Sequence, residues 1–351
     1  MAANASAPAL ARLTGRRPPI VSLVGLALVG LIGIWLIVNA IKTPGDFLDL
    51  LLVGLTVGMV YALIALGYSL VYGILELINF AHGDVFMLGG MLTTSMVAWF
   101  GLSASTHGKL LVLIIPMLLI AAAFCATLNT GIEFIAYRPL RNAPRLAPLI
   151  TAIGVSFILQ NVGLIWKGPA PVNLPNGLLP RRVIFSIGGA DFRWNRLIVF
   201  LVTIPTLIVL VWLVQQTKQG KAMRAVAQDK DAAAIMGINV NRTISFTFLI
   251  AGSLAGFAGV MYALYVTSVS FDTGFRLGLF AFTAAVLGGI GNLPGAVLGA
   301  LIIGLIEQFN NGLSWHSPGS DWTNSIIFSV LILILVFRPE GLLGERTPEG
   351  G

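Results

Sequence analysis

The sequence predicts an all-α integral membrane protein: a polytopic helical bundle of 8 to 10 spans with an inverted internal repeat. The first observation is composition, since 57% of the 351 residues are apolar, 10% are charged and the mean hydropathy is +0.91. A soluble domain carries about 25% charged residues, so the 21 basic and 14 acidic residues are too few to cover a water-facing surface. This composition excludes a soluble enzyme and a disordered chain. Because Cys125 is the only cysteine, an intrachain disulfide is excluded as well.

The second observation is a series of charge-free apolar runs, comparable in length to the roughly 20 residues that cross a bilayer. The ten runs are 20–41, 50–75, 85–100, 110–132, 149–166, 197–214, 243–271, 277–290, 293–306 and 322–337. The first run follows a basic leader and predicts an uncleaved signal anchor, because it is too long for the apolar part of a signal peptide. The shortest runs are interpreted either as full spans or as half-helices that turn back.

The basic residues cluster between these runs, which is typical of cytoplasmic loops. With ten crossings, both chain ends and the loops 137–148 and 215–242 lie on the cytoplasmic side. The outer loop 167–196 holds five basic residues against this rule, but its prolines and the Gly188-Gly189 pair predict an ordered hairpin. Because no basic cluster is interleaved with base-stacking aromatic residues, we expect no nucleic acid among the partners.

The third observation is an internal repeat. The block 58–63 recurs at 259–264, and the block 80–90 is echoed by 280–289 in the same order and at similar spacing. Five predicted crossings separate the copies, so the copies are inverted relative to each other. Inverted repeats are typical of transporters, in which the substrate path lies at the repeat interface. Tyr61, Tyr262 and Phe282, which lie in these blocks, are therefore candidate pathway residues.

The segment 76–84 is the most unusual one, because it places two acids, an amide and an imidazole between two apolar runs. Polar groups at membrane depth are tolerated where they are buried in protein or line a wet cavity. One interpretation is a broken helix beside the pathway, braced by Asn79, His82 and Asp84. The alternatives are a cytoplasmic turn, with Asp84 as the N-cap of the next helix, and direct proton transfer by His82.

Other polar residues in apolar context lie at predicted helix ends. Glu133 beside Arg138 predicts an ion pair at the membrane interface. The polar segment 307–312 predicts the outer end of a helix or, alternatively, a point of substrate access. The chain lacks a Walker-type phosphate-binding loop and an H-E-x-x-H pair, and its three histidines and one cysteine argue against a zinc site. We expect no metal, no cofactor and no enzymatic activity, so an ATP-driven motor would be another polypeptide.

The cytoplasmic loop 215–242 carries a pattern of two short amphipathic helices. Asp229 or Asp231 would cap the second helix, and Gly237 would end it. A short helix on the cytoplasmic face can fit the groove of a partner protein. A solvated surface loop is the alternative interpretation.

Four stretches of the sequence resemble the membrane permeases of branched-chain amino acid ABC importers, of the LivH type. They are the segment 52–91 with its INFAHG block, the loop 220–242, the segment 284–307 and the ending 337–346. The resemblance reaches from about residue 47 to residue 346 and predicts a permease domain over 47–346. Residues 1–46 are then a basic leader and an extra transmembrane helix.

The resemblance implies a multi-pass subunit in the bacterial inner (cytoplasmic) membrane, surrounded by the lipid bilayer. Its implied partners are a second permease subunit of the LivM type, two ATP-binding subunits and a periplasmic substrate-binding protein. The candidate pathway residues are Tyr61, Asn79, His82, Asp84, Tyr262 and Phe282. The implied ATPase-coupling residues are Arg224, Ala225, Asp229, Ala233 and Gly237.

Three other functions compete with an importer of Leu, Ile, Val or related amino acids. A urea or short-amide ABC permease belongs to the same superfamily and is the nearest alternative. A stand-alone secondary transporter or channel would be expected to keep acidic residues deep within its spans, and the apolar runs carry none. A membrane enzyme would need a catalytic constellation that the sequence lacks.

Overall fold

A computed structural model describes residues 19–344, apart from positions 77, 104, 142, 145, 181 and 339. The basic leader and the end of the tail therefore lie outside the described residues. The helices are α1 Pro19–Lys42, α2 Pro44–Leu75, α3 Ala81–Trp99, α4 His107–Ile132, α5 Leu146–Lys167, α6 Trp194–Gln216, α7 Lys218–Gln228, α8 Lys230–Ile235, α9 Val240–Val266, α10 Thr273–Gly288, α11 Leu293–Gly312 and α12 Thr323–Phe337. The fold is that of an all-α multi-pass membrane protein.

Each of the ten apolar runs lies mainly within one helix. In the described part of the chain, seven helical segments are long and apolar enough to cross a membrane, while α10 is apolar but shorter. The 32 residues of α2 reach about 48 Å at 1.5 Å per residue, which exceeds the roughly 30 Å hydrocarbon core. The α4 span continues through a π-helical turn, Glu133–Tyr137, into a 3₁₀ turn, Arg138–Leu140.

The bundle has two ends, which we call the coupling face and the hairpin face. The coupling face carries α7 and α8, together with the end of α2 and the turn between α10 and α11, where the Gly291 amide donates to Ser69 Oγ at 3.0 Å. The hairpin face carries the antiparallel strands β2 Val183–Ile187 and β3 Ala190–Arg193. At the same face β1 Val172–Asn173 pairs with β4 Ser268–Val269.

The predicted outer hairpin is confirmed, and its turn explains the two glycines. Gly188 and Gly189 have φ angles of 58° and 87°, which glycine adopts without steric cost. Two of the arginines that break the positive-inside pattern are held in ion pairs: Arg196 Nη2 lies 2.8 Å from Asp49 Oδ1, and Arg193 lies 3.3 Å from Asp191. Acceptance of a hydrogen bond from Ser186, together with Arg193, lowers the pKa of Asp191 from its usual value.

The helices α2 and α9 form the centre of the bundle. The most extensive contacts of α2 are with α11, and those of α9 are with α4 and α3. Close packing of α2 on α11 requires small residues, since a Cβ at Gly58 would lie 2.8 Å from Leu301 Cα. In contrast, α5, α6 and α12 expose large apolar side chains such as Ile165, Trp212 and Val336, as expected of helices that face lipid or another subunit.

Candidate transport pathway and coupling surface

A polar cavity of about 270 Å³ lies among α2, α9, α10, α11 and α12, toward the hairpin face. Its wall includes Tyr61 and Tyr262, the two tyrosines of the repeated blocks, together with Arg276 and Glu307. The Tyr61 hydroxyl donates to Glu307 Oε2 at 2.6 Å. The structure thus brings Tyr61 and Tyr262 to one cavity, together with Glu307 of the polar segment 307–312 and with Arg276, which the sequence did not single out.

The segment 307–312 does end a helix near the hairpin face, as predicted, because α11 ends at Gly312. Glu307, however, lies more than one helical turn before that end and faces the cavity. The segment therefore ends a helix and also lines the cavity through Glu307, Gln308 and Asn311. The proximity of Arg276 to Glu307 could not be read from the sequence, since the two residues lie on separate helices.

The polar segment separates α2 from α3, as both the broken-helix and the cytoplasmic-turn interpretations require. Helix α2 ends at Leu75 with Glu76 in the left-handed conformation at φ 56°, and α3 begins at Ala81. The N-cap position of α3 is occupied by Phe80, so the interpretation of Asp84 as an N-cap is wrong. Asp84 instead lies in the first turn of α3 and is fully buried.

Asn79, His82 and Asp84 are buried among different neighbours. Asn79 Oδ1 accepts a hydrogen bond from the Tyr137 hydroxyl at 2.7 Å. The imidazole of His82 is fully buried and lies edge-on to Tyr68, with ring centroids 4.9 Å apart. These contacts fix the start of α3 against α2 and the end of the α4 span.

Asp84 reaches a third helix. Its Oδ2 accepts a hydrogen bond from Ser156 Oγ at 2.5 Å, and Ser156 also accepts one from Gln160. Ser156 lies at the middle of α5, so this carboxyl group sits deep in the bundle. Asp84 precedes the apolar run 85–100 in the sequence, yet the fold buries its carboxyl group.

An aromatic cluster lies between the polar cavity and the coupling face. The Phe282 ring centroid lies 6.1 Å from that of Tyr68 and 6.0 Å from that of Phe80. The cluster joins α2, α10 and the break before α3. Phe282 and His82 are thus brought together through Tyr68, whereas Tyr61 and Tyr262 lie on the cavity side of the bundle.

Glu133 is the centre of a network at the end of the α4 span. Its carboxylate is fully buried, accepts from Ser245 Oγ at 2.6 Å and from Arg141, and lies 3.4 Å from Arg138 Nε. The predicted pair with Arg138 is confirmed, but the carboxylate is buried rather than at an open interface. The network joins the α4 span to α9, on which Ser245 lies.

The two predicted short helices of the cytoplasmic loop are confirmed as α7 and α8. Asp229 is the N-cap of α8 and accepts from the Asp231 and Ala232 amides at 2.9 Å each. Gly237 follows with φ 82°, a left-handed conformation that ends the helix. Ala233 is buried against the bundle.

The outer surface of α7 and α8 is exposed. Arg224 is exposed and donates to the Val214 carbonyl near the end of α6. Ile235 and Met236 are 86% and 81% exposed. Two neighbouring large apolar side chains exposed at one helix end indicate a contact surface for another molecule.

Comparison with known proteins gives the family. Residues 50–336 match the family described as branched-chain amino acid transport system / permease component. The chain belongs to this family. It is 38% identical over 314 residues to the high-affinity branched-chain amino acid transport system permease protein BraD of Pseudomonas aeruginosa, with 86% of this chain and 97% of that protein covered.

The LivH permease of the Escherichia coli high-affinity branched-chain amino acid transport system is 37% identical over 310 residues, with the same coverage. A more distant relative is the autoinducer 2 import system permease protein LsrC of Klebsiella pneumoniae, at 30% identity over 55% of this chain. The resemblance to LivH-type permeases is confirmed. Helix α1 precedes the matched segment and attaches to it through Asn39, whose Oδ1 accepts from the Trp315 amide at 3.1 Å.

Proposed function

We propose that this chain is a permease subunit of an ABC importer for Leu, Ile, Val or related amino acids in a bacterial inner membrane. Separate ATP-binding subunits would bind the coupling face, and a periplasmic binding protein would deliver the amino acid at the hairpin face. A second permease subunit would complete the pathway, against helices that expose large apolar side chains. In the proposed domain division, residues 1–46 are an added segment and residues 47–346 are the permease.

The observation that carries this proposal is the shape of the coupling surface, α7 and α8. Met223, Val226 and Ala233 face the bundle and are buried, whereas Ile235 and Met236 face away from it. A short helix with one face fixed and an apolar end exposed fits a hydrophobic groove on a partner. Family membership makes an ATPase the partner to expect.

A force applied to α7 reaches the centre of the bundle directly. Met223 and Arg224 line a small cleft together with Ser69 at the end of α2 and Gly291 in the turn between α10 and α11. Displacement of α7 would therefore act on α2, α10 and α11, three of the helices that surround the polar cavity. In the proposed mechanism, ATP-driven movement of α7 and α8 opens and closes the cavity alternately toward the two faces.

The proposed inverted repeat gives this movement its geometry. It relates α2 to α9, α3 to α10 and α4 to α11. The helix contacts support this relation, since α2 packs on α11 as α9 packs on α4, and α2 packs on α10 as α9 packs on α3. Rocking of one copy against the other is the movement that such repeats allow.

Among the alternatives, amino acids are favoured over urea because the relatives BraD and LivH are branched-chain amino acid permeases. A stand-alone transporter would need its own energy source, and the exposed Ile235 and Met236 would then have no function. The buried Asp84 is compatible with either mechanism. The candidate pathway residues form two groups in this proposal. Tyr61 and Tyr262 line the cavity, and Asn79, His82, Asp84 and Phe282 lie nearer the coupling face.

The test is a pair of charge-introducing substitutions at the coupling surface. Ile235→Asp combined with Met236→Asp should abolish co-purification of the ATP-binding subunits and ATP-driven leucine uptake, because two charges cannot enter an apolar groove without a desolvation cost. Arg224→Glu and Gly237→Trp should likewise abolish uptake while membrane insertion survives. The matched control is Ile235→Leu combined with Met236→Leu, which keeps both exposed side chains apolar. Normal uptake and normal co-purification in the double variant would overturn the coupling assignment.

A further inference from the structure

The polar cavity holds two opposite charges that do not neutralise each other by direct contact. Arg276, in the first turns of α10, and Glu307, on α11, both line it. The ion pairs within the described residues join Glu133 with two arginines, Asp191 with Arg193, and Asp49 with Arg196. Arg276 and Glu307 are near enough to attract each other through space, but a gap separates them.

Each charge is accompanied by one of the repeated tyrosines. Tyr61 donates to Glu307 Oε2 at 2.6 Å, which fixes the carboxylate and leaves Oε1 without a hydrogen bond from the described protein. Tyr262 interacts with the Arg276 side chain. The repeated blocks thus place one tyrosine beside a cation and the other beside an anion, in the wall of one cavity.

The rest of the cavity wall is partly apolar. Val57, Val266, Leu277 and Phe280 contribute aliphatic and aromatic surface next to the two charges. At about 270 Å³, the volume is near the low end of small-ligand sites, which span roughly 300–1,000 Å³. A ligand of this site is therefore small, carries both charges and has an apolar part.

We propose that the cavity is a binding site for a zwitterionic α-amino acid with an aliphatic side chain. Its α-carboxylate would pair with Arg276, its α-ammonium would donate to Glu307 Oε1, and its side chain would lie against Val57, Val266 and Phe280. A guanidinium and a carboxylate recognise these groups through charge-assisted hydrogen bonds. This site rests on the proposed function and adds that the permease itself selects for the amino-acid head group. A neutral amide such as urea would leave both charges uncompensated.

The test is protection of a single cysteine by ligands that differ in one charge. Asn324→Cys places a thiol in the cavity wall, and the natural Cys125 is fully buried. The full chain, reconstituted in nanodiscs without a binding protein, is labelled with a membrane-impermeant maleimide. The probes are L-leucine, leucinamide, which lacks the carboxylate, and 4-methylpentanoate, which lacks the ammonium group.

L-leucine should slow the labelling, and each analogue should need at least about a tenfold higher concentration, equivalent to roughly 1.4 kcal/mol. Arg276→Gln should weaken protection by L-leucine about tenfold without weakening protection by leucinamide. Glu307→Gln, which keeps an acceptor for Tyr61, should weaken protection by L-leucine without weakening that by 4-methylpentanoate. This cross-pattern isolates each charge pair in the manner of a double-mutant cycle.

The control variants are Arg182→Gln and Asp231→Asn, which remove charges at exposed positions outside the cavity wall and should leave protection unchanged. Arg276→Lys and Glu307→Asp, which keep the charges, should retain most of the protection and so exclude misfolding as the cause. Absence of protection by L-leucine in the otherwise unaltered chain would overturn the site. The site would also be overturned if either Gln variant weakened the protection by all three ligands equally.

ATP-driven leucine uptake by the complete importer separates this inference from the proposed function. If leucine is taken up but does not protect the cysteine from labelling, the proposed site is wrong and the importer function stands. Protection without uptake of any branched-chain amino acid would remove the importer function and leave the site.

Discussion

Replacement of Glu133 by Gln should destabilise the protein strongly, although it changes only one charge. The carboxylate is fully buried and is the acceptor for Arg141 and Ser245 and the ion-pair partner of Arg138. Loss of one partner from a buried ion pair costs about 3–5 kcal/mol. The two arginine side chains remain 33% and 16% exposed, and their contact with water reduces that cost. We therefore expect a loss of about 2–3 kcal/mol in the free energy of unfolding.

The free energy of unfolding is measured by titrating the protein in detergent micelles with sodium dodecyl sulfate. Tryptophan fluorescence reports the fraction unfolded. Ser245→Ala should cost about 1 kcal/mol, the usual net value of one hydrogen bond. Glu133→Met combined with Arg141→Met should recover part of the loss, because replacing both partners by apolar groups leaves fewer buried charges unpaired. Thr127→Val, at an exposed position of α4, is the control. If Glu133→Gln were no more destabilising than Thr127→Val, the network would not hold α4 to α9 as described.

Three further predictions concern other parts of the chain. Asn79→Leu should lower uptake without loss of the ATP-binding subunits, because Tyr137 loses its acceptor beside the helical break; unchanged uptake would indicate a plain turn. Gly83→Ala should prevent folding or assembly, measured by size-exclusion chromatography, since its Cβ would lie 2.4 Å from the Gly274 carbonyl oxygen; a monodisperse variant would contradict this packing. The ion pair of Asp191 has a lowered carboxyl pKa, so its stabilisation of the hairpin is complete above about pH 4 and lost as the pH falls through the lowered value. Protease digestion of the hairpin should therefore quicken only at that acidity, and Asp191→Asn should abolish the pH dependence.

The sequence was sufficient for the features that depend on neighbouring residues. The apolar runs predicted the helices because a span is a local property of composition. Asp229 and Gly237 predicted the start and the end of α8 because capping acts over a few residues. The glycine pair at 188–189 predicted the hairpin turn for the same reason.

The features that could not be predicted depend on distant residues. Asp84 accepts from Ser156, 72 positions away, and Glu133 accepts from Ser245, 112 positions away. Neither pairing leaves a signal in one sequence, because helix packing decides which faces meet. The cavity was not predicted for the same reason, because its charged residues Arg276 and Glu307 lie on separate helices.

In the proposed function, this chain forms a path for amino acids, and ATP-binding subunits bound at α7 and α8 drive the transport. The most direct measurement is uptake of radiolabelled L-leucine into proteoliposomes that contain the chain with its second permease, ATP-binding subunits and binding protein. We predict uptake that requires internal ATP and is lost in the Ile235→Asp, Met236→Asp variant but not in the Ile235→Leu, Met236→Leu variant. Leucine uptake by the chain alone, without ATP or partner subunits, would contradict the account.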